Sequence, residues 1–531
     1  MSPSTFRQRV PRIARVMSIL SAIALAMPAC TTLPHAGVPQ PFDVEAPAGD
    51  PVEFAAGGPS KGASPESLVQ DFLLACAAGA SDDFTAARLY LSADTSQQWK
   101  PAESIQIYAT DTTLEFLTID ANGERLPSAG DSQAGPESSG ALAEEKRLSV
   151  RVSVPAVGSV DASGILTRSS SDSLIERTFH LVRENDEWRI DTPEDGIVIA
   201  EASFRATYQQ ANLYYPAPSG DVLIPEPRWY PRKRLATYLL MGLLDGPSEY
   251  FAPGVISAIP DGTTVSSQGL KLQQSTASVS LDTATPIKDI SQTLLAWQVS
   301  ATLTQVSSVS GVEVSINGQR LENENFPSGP TYRLESALAV NKSGVGLLTG
   351  THFTPRVPPL SLPANAQTPA VSPVVDGPIS WVEGDELVVL DPVSSQRASL
   401  NVPQATWPSV DRFGWVWAAS QKNTTLALLR TDGSSEQTLA GMENAEGISH
   451  MRVSPDGARL LTIRSVGGQR GVWIAPIQRD GQGTPVALGD FLQLPSGSGE
   501  IRDATWAGST TIMVAQYDSE NDDRLLILPL G

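Results

Sequence analysis

Cysteine and histidine are nearly missing from this chain: 2 Cys and 4 His in 531 residues. Two thiols and four scattered imidazoles exclude a Cys/His metal centre and a disulfide framework. Basic charge is also short, at 37 Lys+Arg against 58 Asp+Glu, a net −21. Four of the basic residues, Arg7, Arg9, Arg12 and Arg15, precede residue 30, and no acid does; without them 33 basic face 58 acidic residues, a net −25. Such a surface repels the phosphate backbone, which excludes a general nucleic-acid role. No window reaches the ~18 unbroken apolar residues that a spanning helix needs. Gly-x-Ser-x-Gly, His-Glu-x-x-His and a Walker lysine are absent; Gly57 and Gly62 have P-loop spacing, but Ala63 stands where the lysine belongs. His35, His180, His352 and His450 are dispersed and offer no general base. At 41% hydrophobic and 18% charged residues the chain is nonetheless ordinary folded protein. Its length predicts about three domains at ~100–200 residues each.

The first thirty residues read as an address. Arg7 to Arg15 form a positive segment, and Val16 to Ala26 follow as a short apolar run. Leu25-Ala26-Met27-Pro28-Ala29-Cys30 resembles the lipobox of bacterial lipoproteins, departing from its commoner residues at Met27 and Pro28. The resemblance implies cleavage after residue 29, an S-diacylglycerol on Cys30 and an acylated new amino end. Two or three acyl chains hold a membrane stably. The expected location is the extracytoplasmic face of the cell membrane. The other cysteine, Cys76, continues the stripe Leu68, Val69, Phe72 and Leu73, and reads as a small buried hydrophobe.

Residues 30–62 hold six prolines and read as a tether. A first domain over 63–200 opens with the helix cap Ser64-Pro65. A helix to about Gly79 and a short one over Asp83–Leu91 are expected. Strands are expected at Ser104–Tyr108, Thr112–Ile119, Leu148–Val154, Ile175–Val182 and Trp188–Ile190, with a loop over 120–147. Helices followed by a curved antiparallel sheet, closed near Trp188, resemble the NTF2-like cone. His180, alone on a strand, reads as structural.

A second domain over 203–325 runs through "LLMGLLDGP", "AIPDGTTV", "LLAWQVSATLTQV" and "VEVSINGQ" in that order. The four together resemble the GerMN domain, an α/β module without established catalytic residues. Just before its first helix, Arg228, Arg232, Lys233 and Arg234 cluster. Cations there oppose the helix dipole, so helix stability does not explain them. They read either as a contact for an anionic partner or as a solvated run paired locally with Glu226 or Asp245.

The remaining 331–531 holds six of the ten tryptophans and repeats a strand, a turn and a strand. Val340, Trp407, Val453 and Trp506 mark equivalent positions, the last three spaced by 46 and 53 residues. That period indicates β-propeller blades, four or five of them, similar to the TolB-like class.

The fold class is therefore multidomain α+β and all-β. Lipobox, NTF2-like domain, GerMN-like domain and propeller, in this order, resemble the LpqB family of lipoproteins. Membership implies a non-enzymatic accessory of a two-component system in cell-wall homeostasis and division, with the extracellular domain of an Mtr-type sensor histidine kinase as partner. No cofactor and no metal are implied. Two other readings stay open. One is a cell-wall glycan binder using the tryptophans of the propeller. The other is a propeller hydrolase, which needs polar groups converging on the central channel.

Overall fold

The computed structural model describes residues 57–531 except 127–144, 171, 287–288, 322–324, 333–336, 342–343, 356–361, 364, 421–425, 437–438, 440–445, 498 and 519–521. The signal segment, Cys30 and most of the tether lie outside the described residues.

Helix α1 (Pro65–Asp82) starts as its cap predicts: the Ser64 side chain accepts from the Ser67 amide at 3.2 Å, and proline follows. Leu68, Val69, Phe72, Leu73 and Cys76 are buried, the stripe read from the sequence. Burial, with Asp82 adding to it, pushes the Cys76 thiol well up, so it stays a protonated hydrophobe. Replacing Ser64 by alanine orphans one helix donor. We expect a loss of about 1 kcal/mol, read from the urea midpoint at constant slope.

The region after α1 holds two short helices, α2 (Thr85–Arg88) and α3 (Ala93–Gln98). The second was not expected from the sequence. It buries no residue and so carries no apolar stripe.

Strands β1 (Ser104–Tyr108), β2 (Glu115–Ile119), β3 (Arg147–Asp161), β4 (Leu166–Arg168), β5 (Leu174–Glu184), β6 (Glu187–Ile190) and β7 (Ile197–Ala200) share one sheet, ordered β6-β5-β3-β1-β7 with β2 and β4 on β3. The long β3 does the bending. Its first half pairs with β5 and β2, and its second half with β1 and β4. The sequence reading stopped this strand before Pro155. The strand passes through it because β2 ends its pairing at Ser153, so the missing N–H breaks no ladder on that side. Trp188 is buried in the closing hairpin, whose turn residues Asn185 and Asp186 have positive φ.

Helix α4 (Glu201–Thr207) leads to the hairpin β8 (Tyr208–Pro216) and β9 (Leu223–Pro231), and then to helix α5 (Leu235–Asp245). Gly242 is the point of closest approach between helix and hairpin: a Cβ there would lie 2.1 Å from the Tyr230 hydroxyl oxygen. Strands β10 (Thr264–Gln273), β11 (Thr276–Asp282), β12 (Gly311–Ile316) and β13 (Gln319–Arg320) follow in one sheet. The parallel pair β11/β12 is joined through helix α6 (Asp289–Leu303). Leu295, Val299 and Leu303 of α6 are fully buried in a core shared with Leu239 and Leu243 of α5.

Five further sheets occupy the last part: β14–β16 (Ala337–Pro355), β17–β20 (Ala366–Asn401), β21–β24 (Ser409–Glu436), β25–β29 (Glu446–Leu494) and β30–β32 (Glu500–Pro529). Each pair of successive sheets touches through its first strands, β14 to β17, β17 to β21, β21 to β25 and β25 to β30. That is the inner-strand arrangement of propeller blades. The second sheet escaped the sequence period because its first strand is irregular. Thr368 has positive φ and the register shifts between Gln367 and Ala370, around Pro369, which breaks the alternation.

Candidate functional site

The basic cluster noted in the sequence lies along the seam between the first two modules. Arg228, at the end of the hairpin, is 2% exposed. It pairs with Glu226 at 2.8 Å and donates to the Ser163 and Gly246 carbonyl oxygens. Burial pulls its pKa down, but Glu226 more than offsets this and the guanidinium is held charged. Arg228 is thus enclosed by its own chain and offers no surface to an external anion. Arg232 donates to Gln209 and to the Arg205 carbonyl, and Arg234 pairs with Asp83 of the first module. Arg232, Lys233 and Arg234 stay on the surface.

A second seam joins the hairpin module to the propeller, and the sequence reading missed its residues. Arg412 clamps Asp221 with both terminal nitrogens, at 2.7 and 2.8 Å, while its Nε donates to the Asp456 carbonyl. Desolvation acts on Asp221 first, but the Arg412 and Ser219 hydrogen bonds overcome it and hold the carboxyl below its usual range. Arg459 is 2% exposed and lies over the Phe251 ring at 4.5 Å. It donates to Pro225 across the seam and to Ser509 of the fifth sheet. Tyr250 donates to the Ile474 carbonyl at 2.9 Å. The signal was present in Ser454-Pro455-Asp456-Gly457-Ala458-Arg459. A turn motif that carries an arginine on a buried strand needs an internal acid, here Asp456 at 3.5 Å.

The inner strands bring a third group together. Trp407, just before β21, bridges to His450 of β25, with ring centroids 6.2 Å apart. The Arg452 guanidinium sits 5.5 Å over the Trp407 ring, and the Trp506 indole donates to the Arg452 carbonyl at 3.0 Å. Trp407 is 39% exposed, whereas Trp381, Trp415 and Trp417 are buried. An exposed indole beside a cation suits a planar or sugar-like ligand.

Ser449, His450 and Asp503 also meet here, with Ser449 Oγ 2.9 Å from His450 Nδ1. His450 Nε2 lies 3.8 Å from Asp503, beyond hydrogen-bond range, and Arg470 donates into the Ser449 oxygen at 2.6 Å. Burial lowers the His450 pKa, Asp503 opposes, and Arg452 and Arg470 lower it further. His180 is exposed on β5 beside Ser149, and His352 is exposed on β16. Among the described residues no group of three His, Cys, Asp or Glu side chains could hold a metal. No helix among them is long and apolar enough to cross a membrane.

Comparison with known proteins follows the same three parts. Residues 58–205 match the family model of the lipoprotein LpqB N-terminal domain. Residues 212–322 match a model described as sporulation and spore germination, and 345–528 match the lipoprotein LpqB beta-propeller domain. Lipoprotein LpqB of Rhodococcus opacus (strain B4) is 27% identical over 95% of this chain and 86% of its own. Lipoprotein LpqB of Streptomyces coelicolor is 26% identical over 95% of this chain and 86% of its own. Among solved structures, the tandem GerMN domains of GerM from Bacillus subtilis share 20% identity over 27% of this chain and 59% of theirs, with a TM-score of 0.19. With family models matching in order from one end of the folded part to the other, and relatives aligned along nearly the whole chain, this chain belongs to the lipoprotein LpqB family.

Proposed function

We propose that the chain is a non-enzymatic accessory, anchored through lipidated Cys30 to the extracytoplasmic face of the membrane. Its partner is the extracellular domain of an Mtr-type sensor histidine kinase, in cell-wall homeostasis and division. The observation that carries a binding role is the double seam. Arg228, Arg412 and Arg459 reach across the seams, to Ser163, Asp221 and Pro225, and tie three binding-type folds together. A unit so joined presents fixed surfaces, and binding it shifts a kinase only if its affinity differs between signalling states. Arg232, Lys233 and Arg234 supply an exposed cationic patch for an acidic partner face.

In-cell crosslinking of the anchored protein tests this, with Cys30→Ala alongside. The expected capture is a sensor-kinase ectodomain, reduced when the anchor is lost. Capture of cell-wall material alone would overturn the reading. It would favour the second one, a glycan binder, which the exposure of Trp407 supports.

A further inference from the structure

Five arginines of the described chain are buried: Arg177, Arg228, Arg459, Arg464 and Arg479. Four of them have an acid: Arg177 pairs with Glu194, Arg228 with Glu226, Arg459 with Asp456 and Arg479 with Asp411. Arg464, 6% exposed, has none, and its side chain forms no hydrogen bond among the described residues. Its guanidinium lies 3.9 Å from the Phe491 ring centroid and 4.8 Å from that of Trp473. Burial lowers its pKa, and no carboxylate opposes this. An arginine nevertheless stays charged, so a desolvated cation lacks its counter-ion.

Its neighbours lack partners in the same sense. In the fourth sheet Thr462 faces Trp473, Arg464 faces Gly471, and Trp473 faces Gln493. Residues directly opposite, and residues two apart on one strand, share a face. Thr462 Oγ1, Arg464 Nε and Trp473 Nε1 are therefore on one face, and each is buried without a partner. With no side chain at Gly471, the Gln493 amide and the Trp473 indole N–H close in over its backbone. A Cβ there would lie 2.7 Å from Gln493 Nε2 and 3.1 Å from Trp473 Nε1.

The guanidinium and the indole N–H can only donate, and the hydroxyl can donate as well. Water could satisfy the hydrogen bonds but would leave the charge unbalanced. A guanidinium covered by aromatic rings offers its N–H edge, the geometry that fits an oxyanion in plane. We propose that the face above Gly471 is an oxyanion-binding site, with Arg464 as the counter-charge and Trp473, Gln493 and Thr462 as further donors. The oxyanion is a carboxylate or a phosphate group on a small ligand. The partly exposed edges of Trp473 and Phe491 form the rim of the site. This site does not depend on the kinase-accessory reading.

Calorimetric titration of the full-length protein with sodium acetate, N-acetylmuramic acid and inorganic phosphate tests it, with neutral N-acetylglucosamine as control. Saturable binding of at least one anion is expected, and none of the control. Tighter binding of N-acetylmuramic acid than of acetate would identify a sugar acid as the source; tighter binding of phosphate, a phosphoryl group. Gly471→Ala puts a methyl where the Gln493 amide and the Trp473 indole N–H now sit and pushes these donors aside. Gly471 has no positive φ, and the Gln493 side chain can swing aside, so the variant should fold. It and Arg464→Gln should each weaken binding by about tenfold or more. Absence of saturable binding by all three anions would overturn the proposal. So would affinity unchanged in both variants.

Discussion

Replacing Asp411 by alanine should destabilise the folded protein by about 3–5 kcal/mol, the cost of stranding a buried partner charge. Asp411 is 0% exposed. One carboxylate oxygen accepts from the Phe413 and Trp415 amides, both at 2.9 Å. The other accepts from the Trp417 indole at 2.9 Å and from Arg479 at 2.7 Å. Arg479 spends its other donors on the Gly457 and Gly483 carbonyls, each at 2.8 Å. Burial pushes its pKa down and Asp411 works against that. The pair thus joins the third and fourth sheets by a contact that no water can replace. Asp411→Asn keeps the size and an acceptor, and should lose less. Asp411→Ala combined with Arg479→Met removes both charges and should recover part of the loss. Guanidinium unfolding of the variants measures this. A loss below about 1 kcal/mol in Asp411→Ala would mean that the pair contributes little.

Arg459→Ala should have a comparable cost, about 3–5 kcal/mol, and a different signature. Its guanidinium touches Asp456, the Pro225 carbonyl, the Ser509 carbonyl and the Phe251 ring, so it belongs to the second module and to two blades at once. Without it Asp456 keeps only Ser454 and the Ala458 amide as donors. The seam should loosen before either module melts. Calorimetry should then resolve two transitions for these parts, against a single one expected of the parent protein. Limited proteolysis should cut between residues 325 and 337 sooner. Arg459→Lys should not restore coupling, because a point charge cannot reach several acceptors in a fork. A single transition in Arg459→Ala, shifted but unsplit, would show that the seam is held by other contacts.

The features legible in the sequence are those that a few neighbouring residues settle among themselves. Ser64 and Pro65 start a helix because cap and φ are local properties. Asn185 and Asp186 take positive φ and close a hairpin. Strand β7 was not legible: Ile197–Ala200 is a short apolar run with almost every residue buried, so nothing alternates. It gains its place only by pairing in parallel with β1, almost a hundred residues earlier in the chain. The candidate site divides in the same way. Cys30 and the basic run Arg228–Arg234 are sequence features. Which arginine is enclosed, which clamps a seam and which stands without an acid was decided by the tertiary structure. The sequence by itself determined the order of the folds and the surplus of negative charge, because each depends on composition or short-range pattern. Only the packing of distant strands decided that Arg228 and Arg459 are enclosed with the acids beside them, and that Arg479 meets Asp411, 68 residues away, while Arg464 meets none, because burial is a relation between residues far apart in the chain.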